Sequence, residues 1–354
     1  MAFLRGVVRS ILPFLIGIPI LLGLQFWLVA ADRGDVTIIL VTAFINVVLA
    51  VSLNVVNGFT GQFSLGHAGF MAVGAYTAAM ITLRFAATPL LGLSPELSSQ
   101  VVFGLALLAG MITAALAGLL VGLPSLRLRG DYLAIVTLGF GMIIISIVEN
   151  VDVLGRAIGL SGLPGLTTLT WTGVAALATI SMARRLAVST QGRALFAIRE
   201  DEVAAEAMGV DTTGYKVRAF VISAAFAGLA GALVVHLLQL ATPRSFTFIR
   251  SIEVVVMIVL GGLGSITGSV LAAVLLTVLL ELLREVQQFR MVAYAILLIL
   301  LMLFRPQGLF GTRELWDLPL FRRFGFARAR AGGGGAPPTA VRDDGVGGAG
   351  GGEA

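Results

Sequence analysis

Apolar residues run along this chain in long, nearly uninterrupted segments, at roughly 11–30, 36–56, 65–83, 101–122, 132–149, 169–183, 219–240, 252–280 and 291–304. Most approach the ~20 residues that an α-helix needs to cross a bilayer. None alternates in the short apolar-polar rhythm of a membrane β-barrel strand. The pattern predicts an all-α polytopic membrane protein of about eight to ten transmembrane helices. The first run, Ile11 to about Ala30, exceeds the roughly 7–15 residues of a signal-peptide core, so an uncleaved first helix is expected.

Two interruptions stand out. Residues 57–70 read NGFTGQFSLGHAGF, and residues 261–269 read GGLGSITGS. A glycine inside a helix costs about 1 kcal/mol relative to alanine, so both stretches predict glycine-broken segments, near 57–69 and 261–269. A broken backbone is tolerated at membrane depth only where protein or water surrounds it. Paired interruptions in the two halves of a chain point to a transport path. The candidate path or hinge residues are therefore Gly58, Gly61, Ser64, Gly66 and His67 in the first break. In the second they are Gly261, Gly262, Gly264 and Ser265. Close helix packing is the competing use of the same glycines, with Gly58 and Gly61 or Gly66 and Gly69 as small-residue pairs. His67 has no carboxylate or second histidine nearby in sequence, which favours a local hydrogen-bonding role over a proton relay.

Charge orients the segments. Only 12% of the 354 residues are charged, and Lys216 is the single lysine among 24 basic residues. Arg5, Arg9, Arg127, Arg129, the loop 184–218 and the tail from Arg305 to Arg330 carry most of the basic residues, in short stretches between apolar runs. Such clusters mark the cytoplasmic side. Nine unbroken crossings would leave the basic tail outside. A re-entrant break in 252–280 makes the crossing number even and returns both termini to the cytoplasm. The chain divides into a membrane domain at 1–324 and a Gly/Ala/Pro-rich tail at 325–354, expected to be disordered. Basic residues placed as topology signals argue against nucleic-acid binding.

No catalytic set appears. Cysteine is absent and the two histidines lie far apart. No zinc-binding histidine pair or phosphate loop occurs, so no cofactor, metal or nucleotide hydrolysis is expected on this chain. Acidic residues within the predicted spans are few and near segment ends (Glu149, Glu253, Glu281), which disfavours an ion-coupled carrier without removing it.

The loop between about 184 and 218 holds the most specific signal. Glu200, Asp201 and Glu202 crowd the start of a predicted short helix, where carboxylates suit the helix dipole. Val203 with Ala207, and Ala204 with Met208, make an apolar face, and Gly209 is placed to terminate it. Five acidic residues between 200 and 211 oppose an anionic lipid surface, so this helix is predicted to dock into a protein partner.

The stretches GFTGQFSLGHAGFMAVGAY (58–76), RLRGDYLAIVTLGFG (127–141), GRALFAIREDEVAAEAMGVDTTGYKVRAF (192–220), GGLGSITGSVLAA (261–273) and RPQGLFG (305–311) together resemble the branched-chain amino-acid ABC transporter permeases, of the LivM type. The family commonly carries an Asn-Gly pair where this chain reads GLSGLPG (159–165), and threonine is frequent at the position of Ser265. The resemblance implies a bacterial inner-membrane importer. It would contain a second, LivH-type permease subunit, two ATPase subunits and a periplasmic substrate-binding protein. Branched-chain amino acids are the implied solutes, with urea or short amides as alternatives. It also implies that Arg199, Glu200, Asp201, Glu202, Ala204, Ala205, Ala207 and Gly209 form the helix that inserts into the ATPase and transmits its closure.

Overall fold

The computed structural model describes residues 2–85, 94–126 and 132–283, with Ile296, Ile299, Gly308, Leu309 and Gly311. The expected span at 291–304, the tail at 325–354 and Arg127 and Arg129 fall outside this description, the span apart from its two isolated residues.

The described chain is almost entirely helical. In order it comprises α1 (Ala2–Ala30), α2 (Gly34–Asn54), α3 (His67–Phe85), α4 (Pro95–Ser125), α5 (Tyr132–Asn150), α6 (Leu169–Val188), α7 (Thr190–Glu200), α8 (Glu202–Ala207), α9 (Thr212–Leu238), α10 (Phe248–Gly261) and α11 (Ile266–Leu282). Five helices are long and apolar enough to cross a membrane. They are α3, α4, α5, α9, and α2 together with the π-helical turn Val55–Phe59 that extends it. This is an all-α polytopic membrane protein.

Burial follows sequence pattern. From Ile45 to Thr60 every residue is buried, because α2 is apolar over most of its surface and packs against α6, α9, α10 and α11. By contrast α4 exposes Leu105, Leu108, Ile112, Leu116 and Leu120, a stripe at helical spacing suited to lipid. The tightest contacts join α3, α4 and α9 through small residues. A Cβ at Gly74 would lie 2.3 Å from the Gly228 Cα, and one at Gly110 would lie 2.8 Å from the Gly74 carbonyl oxygen. Only residues without a side chain allow backbones this close.

Both expected interruptions are present. After Phe59 the chain runs without regular structure until α3 begins at His67, and α10 and α11 are separated at Gly262–Ser265. Two expectations need correction. The short helix expected to start at Glu200 starts at Glu202, because Asp201 is extended (φ −156°, ψ 110°) and caps it while Glu200 ends the preceding α7. The span expected from 219 begins at Thr212, where Asp211 accepts from the Gly214 amide and caps it. Its early turns tolerate Lys216 because that ammonium pairs with Glu202. A short antiparallel ladder, β1 (Leu160–Ser161) with β2 (Leu240–Ala241), ties the loop after α5 to the end of α9.

Candidate functional site

The two glycine breaks, more than 200 positions apart in sequence, touch one another. A Cβ at Gly58 would lie 2.4 Å from the Gly264 amide nitrogen, so the last turn of the α2 span rests directly on the second break. Asn54 fastens them. Its Oδ1 accepts from the Gly264 amide at 2.9 Å, and its Nδ2 donates to the Ser265 carbonyl at 3.0 Å. One buried side chain thus satisfies the Gly264 amide, which the interrupted helix does not pair internally, and adds a donor to a Ser265 carbonyl that already accepts from Ser269 in α11. Gly264 has φ +88°, a left-handed conformation that disfavours any residue with a Cβ. Ser265 caps α11 by accepting from the Gly268 amide at 3.0 Å. Gly261 packs its backbone on Gly268. Beside Gly262, Leu309 donates its amide to the Leu260 carbonyl at 2.8 Å, closing the end of α10.

The first break runs back along α2 as an irregular strand. Asn57 Oδ1 accepts from the Ser64 amide, and the Leu65 amide donates to Thr137 Oγ1 on α5. Gly66 faces the Thr137 carbonyl, leaving no room for a side chain. His67 opens α3 with its Nε2 hydrogen-bonded to Ser52 Oγ at 3.1 Å, and the neighbouring Ala68 amide donates to Ser251 on α10. Within this junction Asn57 Nδ2 and Gln62 Oε1 are buried with no hydrogen-bond partner among the described residues.

A helix of the polar loop after α6, α7, lies against this junction. Arg199 Nη1 donates to the Gly58 carbonyl at 3.0 Å and lies where a Gly264 side chain would stand. Its aliphatic stem covers Gly61, itself left-handed at φ +70°. Phe196, one turn earlier, meets Phe59 with ring centroids 5.1 Å apart. Arg199 also pairs with Glu200 at 2.9 Å, so Glu200 closes α7 rather than opening the next helix.

Beyond it, α8 is held by its polar side. Asp201 Oδ1 accepts from the Val203 and Ala204 amides, at 2.9 and 3.0 Å. Glu202 turns inward to the buried Lys216 ammonium, 2.5 Å away, and Ala205 is buried beneath. Val203 (62% exposed) and Met208 (84% exposed), together with Ala204 and Ala207, face outward, and Gly209 ends the helix at φ +84°. The carboxylate of Glu202 is therefore a strut for α8, and the outward face is apolar.

The structure brings Gly58, Gly61, Gly264 and Arg199 into one cluster, with Ser265 alongside. It places Ser64, Gly66 and His67 along the returning strand, and α8 apart on its own support. Sequence reasoning missed Asn54, Asn57 and Phe196. Asn46, Asn54 and Asn57 do fall on one face of a continuous helix, a polar stripe in an apolar run that could have flagged them.

Long apolar helices, interrupted twice where buried polar groups replace helical hydrogen bonds, with an arginine reaching in from a polar loop, define a multi-pass membrane protein of the permease type. The profile of the family described as "Branched-chain amino acid transport system / permease component" matches residues 36–304. The chain belongs to that family. It is 39% identical over 318 residues to the high-affinity branched-chain amino acid transport system permease protein LivM of Salmonella typhimurium, covering 80% of this chain and 71% of the relative. Over the same length and shares it is 36% identical to LivM of Escherichia coli. A shorter match, 32% identical over 129 residues, joins 36% of the chain to 42% of the permease protein BraD of Pseudomonas aeruginosa. No solved structure matches the chain. Membership of this family favours an ATP-driven permease subunit over an ion-coupled carrier.

Proposed function

We propose that this chain forms one half of the membrane path of a bacterial importer for branched-chain amino acids, powered by ATP hydrolysed on separate subunits. A second permease of the LivH type would complete the path, two ATPases would bind the face carrying α7 and α8, and a periplasmic binding protein would deliver the solute. Both termini would lie in the cytoplasm of a cell whose inner membrane holds the complex, consistent with the arginine clusters in the loops.

The observation that carries the coupling role is Arg199. It stands between an outward apolar face on α8 and the contact of the two glycine breaks. When the ATPases close, α8 would move with them. Because Asp201 and the Lys216–Glu202 pair hold α8 to α7 and α9, that movement reaches Arg199 and Phe196 as a displacement. Arg199 would then pull on the Gly58 carbonyl, and the two breaks would shift against one another.

The test is Arg199→Gln in the complete transporter reconstituted in liposomes. ATP hydrolysis should persist while L-leucine uptake falls by at least tenfold. Uptake that stays proportional to hydrolysis would remove Arg199 from the coupling route.

A further inference from the structure

One polar cluster lies outside the glycine junction. Asn46 stands at the middle of the 26-residue span Gly34–Phe59. Its Oδ1 accepts from Arg250 Nη2 at 2.7 Å, and its Nδ2 donates to Thr277 Oγ1 on α11 at 2.8 Å. Arg250 Nη1 donates in turn to Glu253 Oε2 at 2.7 Å, one turn along α10. A charged pair is thus held in the middle of the membrane span by a side chain whose amide is used at both ends. Glu253 was expected near a segment end, and it stands in the second turn of α10; that end of α10 meets the middle of the α2 span through Arg250 and Asn46.

The pair is not sealed. Its side chains keep 23% and 34% of their surface accessible. Glu253 shares an outward stripe of α10 with Ile249, Ile252 and Val256. Lipid against that stripe would cost about 3 kcal/mol for each charge, so a charged group there faces a wet path or a protein surface. The pair also has spare bonding capacity. Arg250 uses two of the five N–H groups that a guanidinium offers, and Glu253 Oε1 has no donor among the described residues.

Resting on the function proposed above, we infer that Arg250 and Glu253 are a recognition point for the zwitterionic head of an α-amino acid within the membrane path. The free guanidinium N–H groups take the α-carboxylate, and the free carboxylate oxygen takes the α-ammonium. Asn46 fixes the guanidinium so that both partners remain in place. A solute that is net neutral but carries both charges replaces the water on this pair without leaving a charge unpaired. The same pair makes a weaker match for urea, which has no full charge to offer.

The experiment has two arms, both on the complete reconstituted transporter with L-leucine carried by its binding protein. In the first, Glu253→Gln and Arg250→Gln should lower the leucine moved per ATP hydrolysed by tenfold or more, while assembly and hydrolysis persist. A merely structural pair would lower uptake and hydrolysis together. The second arm leaves the pair intact. The chain has no cysteine, so Val256→Cys gives it one thiol, one turn from Glu253, and labelling is read on this chain after the subunits are separated. The thiol should react with a charged, water-soluble thiol reagent, and transport of leucine should slow that reaction at least threefold. An unchanged leucine-to-ATP ratio in the first arm, or a thiol that does not react or is indifferent to leucine, overturns the inference. A wild-type complex that transports urea but no leucine overturns the amino-acid reading itself, so the two failures are distinguishable.

Discussion

Glycine does two different jobs in two regions of this molecule. Between α3, α4 and α9, Gly74, Gly110 and Gly228 sit inside regular helices, and their value is the missing side chain. At the junction of α2 with α10 and α11, Gly61 and Gly264 take left-handed backbone angles, and their value is conformational. The first region is a seam whose helices meet backbone to backbone. The second is a crossing of two interrupted segments that also touch backbone to backbone at Gly58 and Gly264, but it lacks continuous helix there and is fastened by side-chain bonds from Asn54 and Arg199. Regular helices packed this closely resist relative movement. A junction fastened by discrete hydrogen bonds has identifiable bonds to break and re-form. The seam is the rigid region, and in the proposed cycle the junction is the one that moves.

The largest effect should come from filling the seam. Gly228→Val would place side-chain atoms against Ala114 Cβ, which lies 2.4 Å from a Cβ at this position, and against the Gly110 carbonyl. Both neighbours are fixed, so folded protein should be nearly lost, as read by the yield of monodisperse material in detergent. Normal yield would deny the seam its rigid role. Next in size, Gly264→Ala carries about 1–2 kcal/mol of left-handed strain and displaces Arg199. Here the yield should stay within about twofold of wild type while uptake per ATP falls severalfold. Equal losses of yield and uptake would make the junction another packing seam. The smallest effect should follow Asp201→Ala, which removes the cap of α8 and costs about 1 kcal/mol locally. Hydrogen exchange should quicken over 202–207 and remain unchanged in α9; a change shared by both would mean that α8 is not separately held.

Much of this was legible beforehand, for identifiable reasons. Spans show themselves because a bilayer demands long apolar runs, and glycine clusters show themselves because they break those runs. The helix at 202–207 announced its end through Gly209, whose left-handed angle is a local property. Its beginning was misjudged because Asp201 reads equally well as a first-turn acid and as a cap, and only the extended backbone decides between them. The outward placement of Val203 and Met208 agreed with their spacing, whereas Glu202 turned from a presumed surface charge into the partner of Lys216.

The sequence by itself determined that this chain is a helical membrane protein broken in two places and carrying a polar loop with its own helix signals. These follow from hydropathy, glycine content and capping residues, all of which act over a few turns. Tertiary structure alone decided that the two breaks meet, that Asn54 holds them together and that Arg199 reaches both. It also decided that Arg250 and Glu253 stand opposite the centre of α2. Those pairings join positions up to some two hundred residues apart. A single polar residue in an apolar run does not name its partner, because the partner is chosen by how the helices pack.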